Sequence, residues 1–477
     1  MTELSLLPAT ELSRLFATRE LSPVEATRAA LEAIERHDPL VNAMVLVDAD
    51  RALEQARASE QRWHDGRPLD TADGVPTTIK DILLTRDWPT LRGSNLVSAD
   101  GPWTEDAPAV ARLREAGCVL LGKTTTPEFA WKGVTDSLRH GVTGNPWGAG
   151  LNPGGSSGGS ATAVGLGMGA WSPGTDGGGS VRIPAAFTGT VALKGTYGLV
   201  PMYPSSPYGT LAHAGPMTRT VADAALMLDI LTRPDSRDWS AVAPPARSFT
   251  DGLDAGVHGL RVALSPTLGF DVANHPEVDA AVRAAADVLA AAGALVEEVD
   301  PGIVDPVDAF HVLWFTGAAK VLQAYGTDAL DDVDPGLREA VERFGLAATA
   351  SDYLDATAVR MDLGRGMGAF HEDYDVLLTP TMPVPAFAAG AQAPDGWPSD
   401  LWTAWTPYTY PFNMTQQPAL SVPCGRTGDD RPIGLQVVGP RHADALVLRV
   451  GQAYESATDW HQAVPTLLRD PDREEPR

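Results

Sequence analysis

Apolar positions recur at helical spacing near the start of the chain: Val24, Thr27, Leu31 and Ile34 fall on one face, with Thr27 its only polar member. Ser22-Pro23-Val24-Glu25 opens this segment as a capping box, with Ser22 at the N-cap, Pro23 at the first helical position and Glu25 reaching back to the cap. A second helix is predicted over Ala107 to Ala116, stopped by Gly117, after which Cys118-Val119-Leu120-Leu121 reads as a short buried strand. The same order returns at Pro276 to Ala292, where Val278, Val282 and Leu289 line one face before Gly293 and a strand from Leu295 to Val299. This alternation predicts a layered α/β fold. No internal repeat and no long flexible linker divides the chain. The stretch from about Arg233 to Gly259, rich in Pro, Asp and Ser, reads as a surface excursion within a single domain spanning 1–477. N-terminal helices then occupy about 1–65, a core about 66–232 and a C-terminal part about 260–477.

Composition narrows the class. With 44% hydrophobic and 20% charged residues, 47 glycines and 39 prolines, the chain suits a globular enzyme with many structured loops, not a disordered or fibrous one. Its 61 acidic residues against 36 basic give a net charge of −25, a field that repels nucleic-acid phosphates and anionic membranes and serves solubility. Cys118 and Cys424 both stand in apolar surroundings and are too few for a disulfide framework, so reduced core residues are expected. Met1-Thr2-Glu3-Leu4 lacks the basic and apolar regions of a signal peptide, and no apolar run reaches the roughly 18 residues of a membrane helix. The expectation is a soluble cytoplasmic protein, monomer or homodimer, acting on a small molecule without nucleic acid or membrane as partner.

Candidate chemistry concentrates in two glycine-dense segments, Gly154-Gly155-Ser156-Ser157-Gly158-Gly159-Ser160 and Gly174-Thr175-Asp176-Gly177-Gly178-Gly179-Ser180. Each presents a serine on nearly bare backbone, and Lys80 lies upstream in Val75-Pro76-Thr77-Thr78-Ile79-Lys80-Asp81. So much glycine in ordered segments points to main chain in unusual conformations or in close approach to another group. A serine hydroxyl is a weak nucleophile until a base takes its proton, and neither segment contains a histidine. A lysine serves if its pKa falls from about 10.4 toward roughly 7 or 8, which burial and neighbouring dipoles achieve. The amides of Gly177, Gly178, Gly179 and Ser180, unobstructed by side chains, are candidates to converge on a developing oxyanion.

Two motifs invite other readings. Gly117-Cys118-Val119-Leu120-Leu121-Gly122-Lys123-Thr124 matches the P-loop pattern, but a helix precedes it, its variable positions read as strand and Thr126-Pro127 opposes a following helix, so it is taken as coincidence. Asn413-Met414-Thr415 fits a glycosylation sequon but is expected in a packed loop. The ten histidines show no H-E-x-x-H spacing, so neither a metal nor a cofactor is expected.

Lys80 and the two serine segments together resemble the amidase signature family, hydrolases of amide and related bonds with a Ser-Ser-Lys triad. The resemblance extends from Glu20-Leu21-Ser22-Pro23-Val24-Glu25 through Gly215 to Asp223, Thr379 to Pro383, Phe412 to Thr415 and Pro432 to Gln436, in family order. It implies a central mixed β-sheet covered on both faces by α-helices. It also implies Ser180 as nucleophile, Ser156 as relay and Lys80 as base, with a cis peptide bond before Ser156 that Gly155 tolerates. By the same resemblance Asp176 and Arg182 pair to hold the nucleophile loop, and the acyl-side contacts fall at Ala130 and Trp131. Trp314, Phe315, Trp402, Trp405 and Tyr408 are further candidate apolar walls. Pro173 departs from the family's apolar residue and puts the local strand pairing in question, because proline removes a ladder donor. The resemblance implies a stand-alone amidase acting on aryl or aliphatic amides, with esters or carbamates, a urethanase activity, in its range. The glutamine-hydrolysing component of a glutamyl-tRNA amidotransferase, which releases ammonia and works with partner subunits, is the alternative within the family. A non-catalytic binding protein of the same fold is the alternative outside it, disfavoured by the presence of all three triad residues.

Overall fold

A computed structural model describes residues 4–469. Its strands in chain order are β1 Met44–Val47, β2 Pro76–Lys80, β3 Val119–Thr124, β4 Asp136–Ser137, β5 Gly141–Val142, β6 Ser172–Asp176 and β7 Val191–Lys194. They continue with β8 His213–Thr218, β9 Arg261–Leu264, β10 Leu295–Glu298, β11 Val376–Pro380, β12 Ala419–Arg426 and β13 Pro432–Val438. Eight of these form one sheet in the order β10-β9-β11-β13-β12-β7-β8-β6. It is mixed: β9 runs parallel to β10 and β11, and the other neighbours are antiparallel.

Side chains alternate across a strand, and here both faces are buried. Val262 and Leu264 of β9, Val376 and Leu378 of β11 and Leu435 and Val437 of β13 enter one core. It also takes residues from the helices Val221–Leu231, Pro276–Ala291 and Asp444–Ser456. Their neighbours Ala263, Leu377 and Val438 enter a core on the other face with Met367 and Phe412. Burial on both sides explains why these strands read as apolar runs, broken in β13 only by Gln436. Each Val or Leu so buried contributes about 1.5–3 kcal/mol before the entropy of ordering it is counted.

A smaller sheet, β1-β3-β2, abuts the β6 edge of the large one. Thr77 of β2 bridges Trp171 in parallel, Ala170 N–H donates to Pro76 O (2.9 Å) and the Trp171 indole donates to Thr77 Oγ1 (2.7 Å). The C-terminal end of β2, with Lys80, thereby lies beside β6. Pro173 does not break β6: it sits opposite Pro216 of β8, so the two residues without an N–H share one position and the register continues from Ser172↔Met217 to Asp176↔His213.

The N-terminal helix Pro23–Val41 carries the expected capping box, with Glu25 N–H donating to Ser22 Oγ (3.1 Å) and Ser22 N–H to Glu25 Oε2 (2.8 Å). The stretch before residue 65 is not all helical. Met44–Val47, too short and apolar for a helix, pairs antiparallel with β3. The helices Pro108–Glu115 and Pro276–Ala291 lie within a residue of expectation. Residues 233–259 carry no helix or strand, yet Phe249, Leu253 and Val257 are buried in the core and anchor the excursion. Cys118 and Cys424 are buried free thiols. Among the described residues no helix is long and apolar enough to cross a membrane.

Six of the eight P-loop-like residues, Val119–Thr124, form β3, and Gly117 and Cys118 precede it. A Cβ at Gly122 would come within 1.9 Å of Leu46 O on β1. Lys123 is fully buried, its ammonium donating to Leu83 O (2.8 Å), Thr85 Oγ1 (3.3 Å) and Thr90 Oγ1 (2.8 Å) and lying 3.4 Å from Asp81. Burial draws its pKa down to about 8, against the pull of Asp81. Lys123 is therefore a strut and not a phosphate ligand. Lys123→Met is expected to lower stability by about 3–5 kcal/mol in urea denaturation, because it leaves Asp81 buried without its cation.

Candidate functional site

The junction of the two sheets brings the sequence-predicted residues together. Lys80, the last residue of β2, is fully buried, with Nζ 2.8 Å from Ser156 Oγ and 2.9 Å from Thr175 Oγ1. Alternation along β6 sends Thr175 toward Lys80 and the Asp176 carboxylate to the opposite side. Burial holds the Lys80 pKa well below the ordinary lysine value, opposed only in part by the charge of Asp176. Its two nearest partners are hydroxyls, neither of which requires a cation.

Ser156 follows a cis peptide bond from Gly155, and a Cβ on Gly155 would meet Val134 O at 2.5 Å. Ser157 N–H donates to Ser180 O (3.1 Å) and Ser157 Oγ to Thr175 O (3.2 Å), which pins one serine segment to the other. Ser156 and Ser180 line one cavity of about 160 Å³ together with Thr175, Asp176, Gly177 and Ala130.

Asp176 and Arg182 form a buried ion pair. Arg182 donates through Nε (3.0 Å) and Nη2 (3.0 Å) to the two Asp176 oxygens, through Nη2 to Asn413 Oδ1 (2.6 Å) and through Nη1 to Thr409 O (3.0 Å) and Gln436 Oε1 (2.7 Å). These five bonds match the donor capacity of a guanidinium. Burial opposes the Asp176 charge, but Arg182, Lys194 and Asn413 outweigh it and hold the carboxyl well below the usual range. Asn413 is buried and donates to Asp176 Oδ1 (2.8 Å), Asp176 O (3.0 Å) and Leu211 O (3.1 Å). The sequon asparagine is therefore part of the packed interior.

The glycine loop departs from expectation at one position. Gly179 N–H donates to Asp176 Oδ1 (2.8 Å), so Gly179, at φ +131°, braces the loop and its amide is already engaged. Gly177, Gly178 and Ser180 are left as the candidate donors of this loop. The absence of side chains at the two glycines has a second cause: a Cβ at Gly177 would lie 2.5 Å from the Trp314 ring, and one at Gly178 would lie 2.6 Å from Trp402 and 2.9 Å from Phe310. The loop rests on an aromatic floor.

The candidate walls divide likewise. Ala130 and Trp314 line the cavity; Trp131, Phe315, Trp402, Trp405 and Tyr408 do not. Phe129 and Ala130 take left-handed φ angles of 49° and 60°, and this turn puts both of them on the cavity while the Trp131 ring packs against Gly336. Trp131 acts through its carbonyl, which accepts from Trp314 Nε1 (3.1 Å). Trp402 lies under the loop, Trp405 stacks on Phe187 (6.1 Å), Phe315 on Phe344 (5.4 Å), and Tyr408 donates to Asn274 Oδ1 (2.8 Å). Tyr208, Met202, Phe129 and Arg92 also line the cavity. Tyr208 stacks on Trp314 at 3.9 Å. For Thr175 a signal was available, since strand alternation opposite Asp176 places it on the lysine side.

The Amidase family model matches residues 25–448. The acylamidase of Rhodococcus erythropolis is 37% identical, over 98% of this chain and 98% of its own. The A-type subunit of the Myxococcus xanthus glutamyl-tRNA(Gln) amidotransferase is 38% identical, over 96% of this chain and 98% of its own. The crystal structure of a bacterial aryl acylamidase of the amidase signature family superposes with a TM-score of 0.90 at 30% identity, covering 97% of this chain and 99% of that one. A 6-aminohexanoate cyclic dimer hydrolase does so at 0.88 and 28% identity, covering 98% and 100%. A family match over most of the chain and superposition along nearly all of it give one conclusion: the chain belongs to the amidase signature family.

Proposed function

We propose that this protein is a stand-alone amidase that cleaves its substrate through an acyl-enzyme on Ser180. The observation that carries this reading is the amine of Lys80, removed from water and facing Ser156 Oγ at 2.8 Å and Thr175 Oγ1 at 2.9 Å. In that setting the neutral amine is the favoured form and accepts a proton from Ser156. Ser180 Oγ attacks the amide carbonyl as its proton passes to Ser156 and the Ser156 proton passes to Lys80. The negative oxygen is received by the amides of Gly177, Gly178 and Ser180, each such donor stabilising the transition state by roughly 2.7–4 kcal/mol. Collapse breaks the C–N bond, and the leaving amine takes a proton back from Lys80 through Ser156. Water then cleaves the acyl ester by the same relay and frees Ser180. Arg182 and Asp176 position the loop without touching the substrate.

Trp314, Tyr208, Phe129 and Met202 make the cavity suited to an aryl or other apolar group, and esters and carbamates of the same shape are open to the same attack. The similarity to amidotransferase components supports a second reading, in which glutamine is the amide and partner subunits are required.

The unaccompanied protein should hydrolyse an anilide, and Ser180→Ala should reduce kcat by about 10⁴-fold or more with unchanged Tm. Anilide turnover that survives this substitution would refute the nucleophile assignment, and glutaminase activity seen only with added partner proteins would favour the amidotransferase.

The lowered Lys80 pKa predicts an acidic limb in kcat/KM, with activity lost as pH falls through the folded-state value and the amine becomes protonated. The sign for stability follows from proton counts. Between the ordinary lysine value of about 10.4 and the lower folded value, the unfolded chain holds one proton more, so Lys80 destabilises the fold increasingly as pH drops across that window. Lys80→Met is expected to abolish turnover and to gain stability relative to the unaltered protein over the same descent, as read by urea denaturation at a series of pH values.

A further inference from the structure

Asp176 and Arg92 both border the cavity, and they differ in how their charges are satisfied. Asp176 has both oxygens engaged by Arg182, with Gly179 and Asn413 adding further donors. Arg92 is half-buried, and its guanidinium has no ion pair or hydrogen bond among the described residues. The chain has 61 acidic residues against 36 basic, so carboxylate partners for a cation are plentiful elsewhere. Here there is none.

The backbone of Arg92 is fixed. Its N–H donates to Asp81 Oδ2 (3.0 Å) and Asp81 O (3.1 Å), its carbonyl accepts from Phe129 N–H (2.8 Å), and the residue stands at φ +56°. Leu91 N–H donates to the same Asp81 carboxylate (3.1 Å). A left-handed, non-glycine residue held at both its N–H and its carbonyl is a rigid base for a long side chain. The cation is also felt behind the wall: after burial and the opposing effect of Asp81, Arg92 is among the groups that push the Lys123 pKa down. The rest of the lining, including Ile82, Leu83, Pro108 and Met202, is largely apolar.

We infer that Arg92 is a specificity residue that selects amides carrying a carboxylate on an otherwise apolar frame, received by the guanidinium fork. The inference rests on the amidase reading above and names its substrate class. A guanidinium matches a carboxylate with two parallel N–H···O bonds, and a charge-assisted pair of this kind in a partly desolvated cleft corresponds to about 10–100-fold in kcat/KM.

Two matched pairs of substrates test it on either side of the scissile bond: butyryl against succinyl p-nitroanilide, and acetanilide against 4-acetamidobenzoate. In at least one pair the ratio of kcat/KM for the anionic member to that for the neutral one should fall about 10–100-fold in Arg92→Gln, with Arg92→Lys intermediate. Ratios unchanged by Arg92→Gln in both pairs overturn the inference. Should Arg92→Gln fail to fold, the unaltered protein decides: the ratio should shrink between low and roughly 0.5 M KCl, and a salt-independent ratio overturns it. Neutral members turned over with no Arg92-dependent ratio sink this inference alone, whereas hydrolysis that persists in Ser180→Ala sinks the underlying mechanism.

Discussion

Segments far apart in the chain meet on the buried guanidinium of Arg182. Asp176 at the end of β6, Thr409, Asn413 and Gln436 of β13 supply its acceptors, the last two from 231 and 254 residues away. Asn413 then donates to the Asp176 and Leu211 carbonyls, and Gln436 to Thr379 Oγ1 (3.0 Å) and Tyr408 O (2.8 Å). A buried ion pair is a poor source of net stability, because the cost of desolvating both charges offsets much of their attraction. Its value here is register. With every N–H of the guanidinium engaged, the loop that presents Ser180 has one position relative to the C-terminal half of the chain.

Three lysines without contact with water show how surroundings set the state of one side chain. Lys123 has Asp81 at 3.4 Å and a carbonyl at 2.8 Å, so its charge is compensated despite burial. Lys194 donates to the Gly195 and Gln417 carbonyls. Burial lowers its pKa strongly, and Arg182 adds to the effect against the pull of Asp176 and Asp444. Lys80 alone of the three has hydroxyls as its only hydrogen-bond partners, with neither a carbonyl nor a carboxylate in contact. Desolvation with neither an anion nor a carbonyl in contact distinguishes the base from the two struts.

The parts of this molecule governed by local rules were legible in the sequence. The capping box at Ser22 and Glu25, the helices before Gly117 and Gly293 and the two serine segments follow from spacing and from the stereochemistry of proline and glycine. The doubly covered mixed sheet was legible through the family resemblance, and the chain's superposition on solved relatives agrees with it. What escaped depends on partners distant in sequence. The use of the Gly179 amide by Asp176 requires knowing where the carboxylate turns. The retreat of Trp131, Trp402 and Trp405 from the cavity follows from packing with Gly336, Gly178 and Phe187, which no periodicity encodes. Arg92 carries no motif, and its place in the cavity comes from a turn held by Asp81 and Phe129.

Trp314 sits in two structures at once. One side of its indole lies against Gly177, where even a methyl group would collide with the ring, and the same residue forms part of the cavity wall stacked with Tyr208. The width of the cavity and the seat of the glycine loop are thus two properties of a single side chain. Natural drift or engineering that trims this indole to admit bulkier compounds would also loosen the support beneath the amides, so breadth and rate are traded at this position. Diversification has a less constrained route through Met202 and Pro204, which border the cavity without bearing on the glycines of the loop.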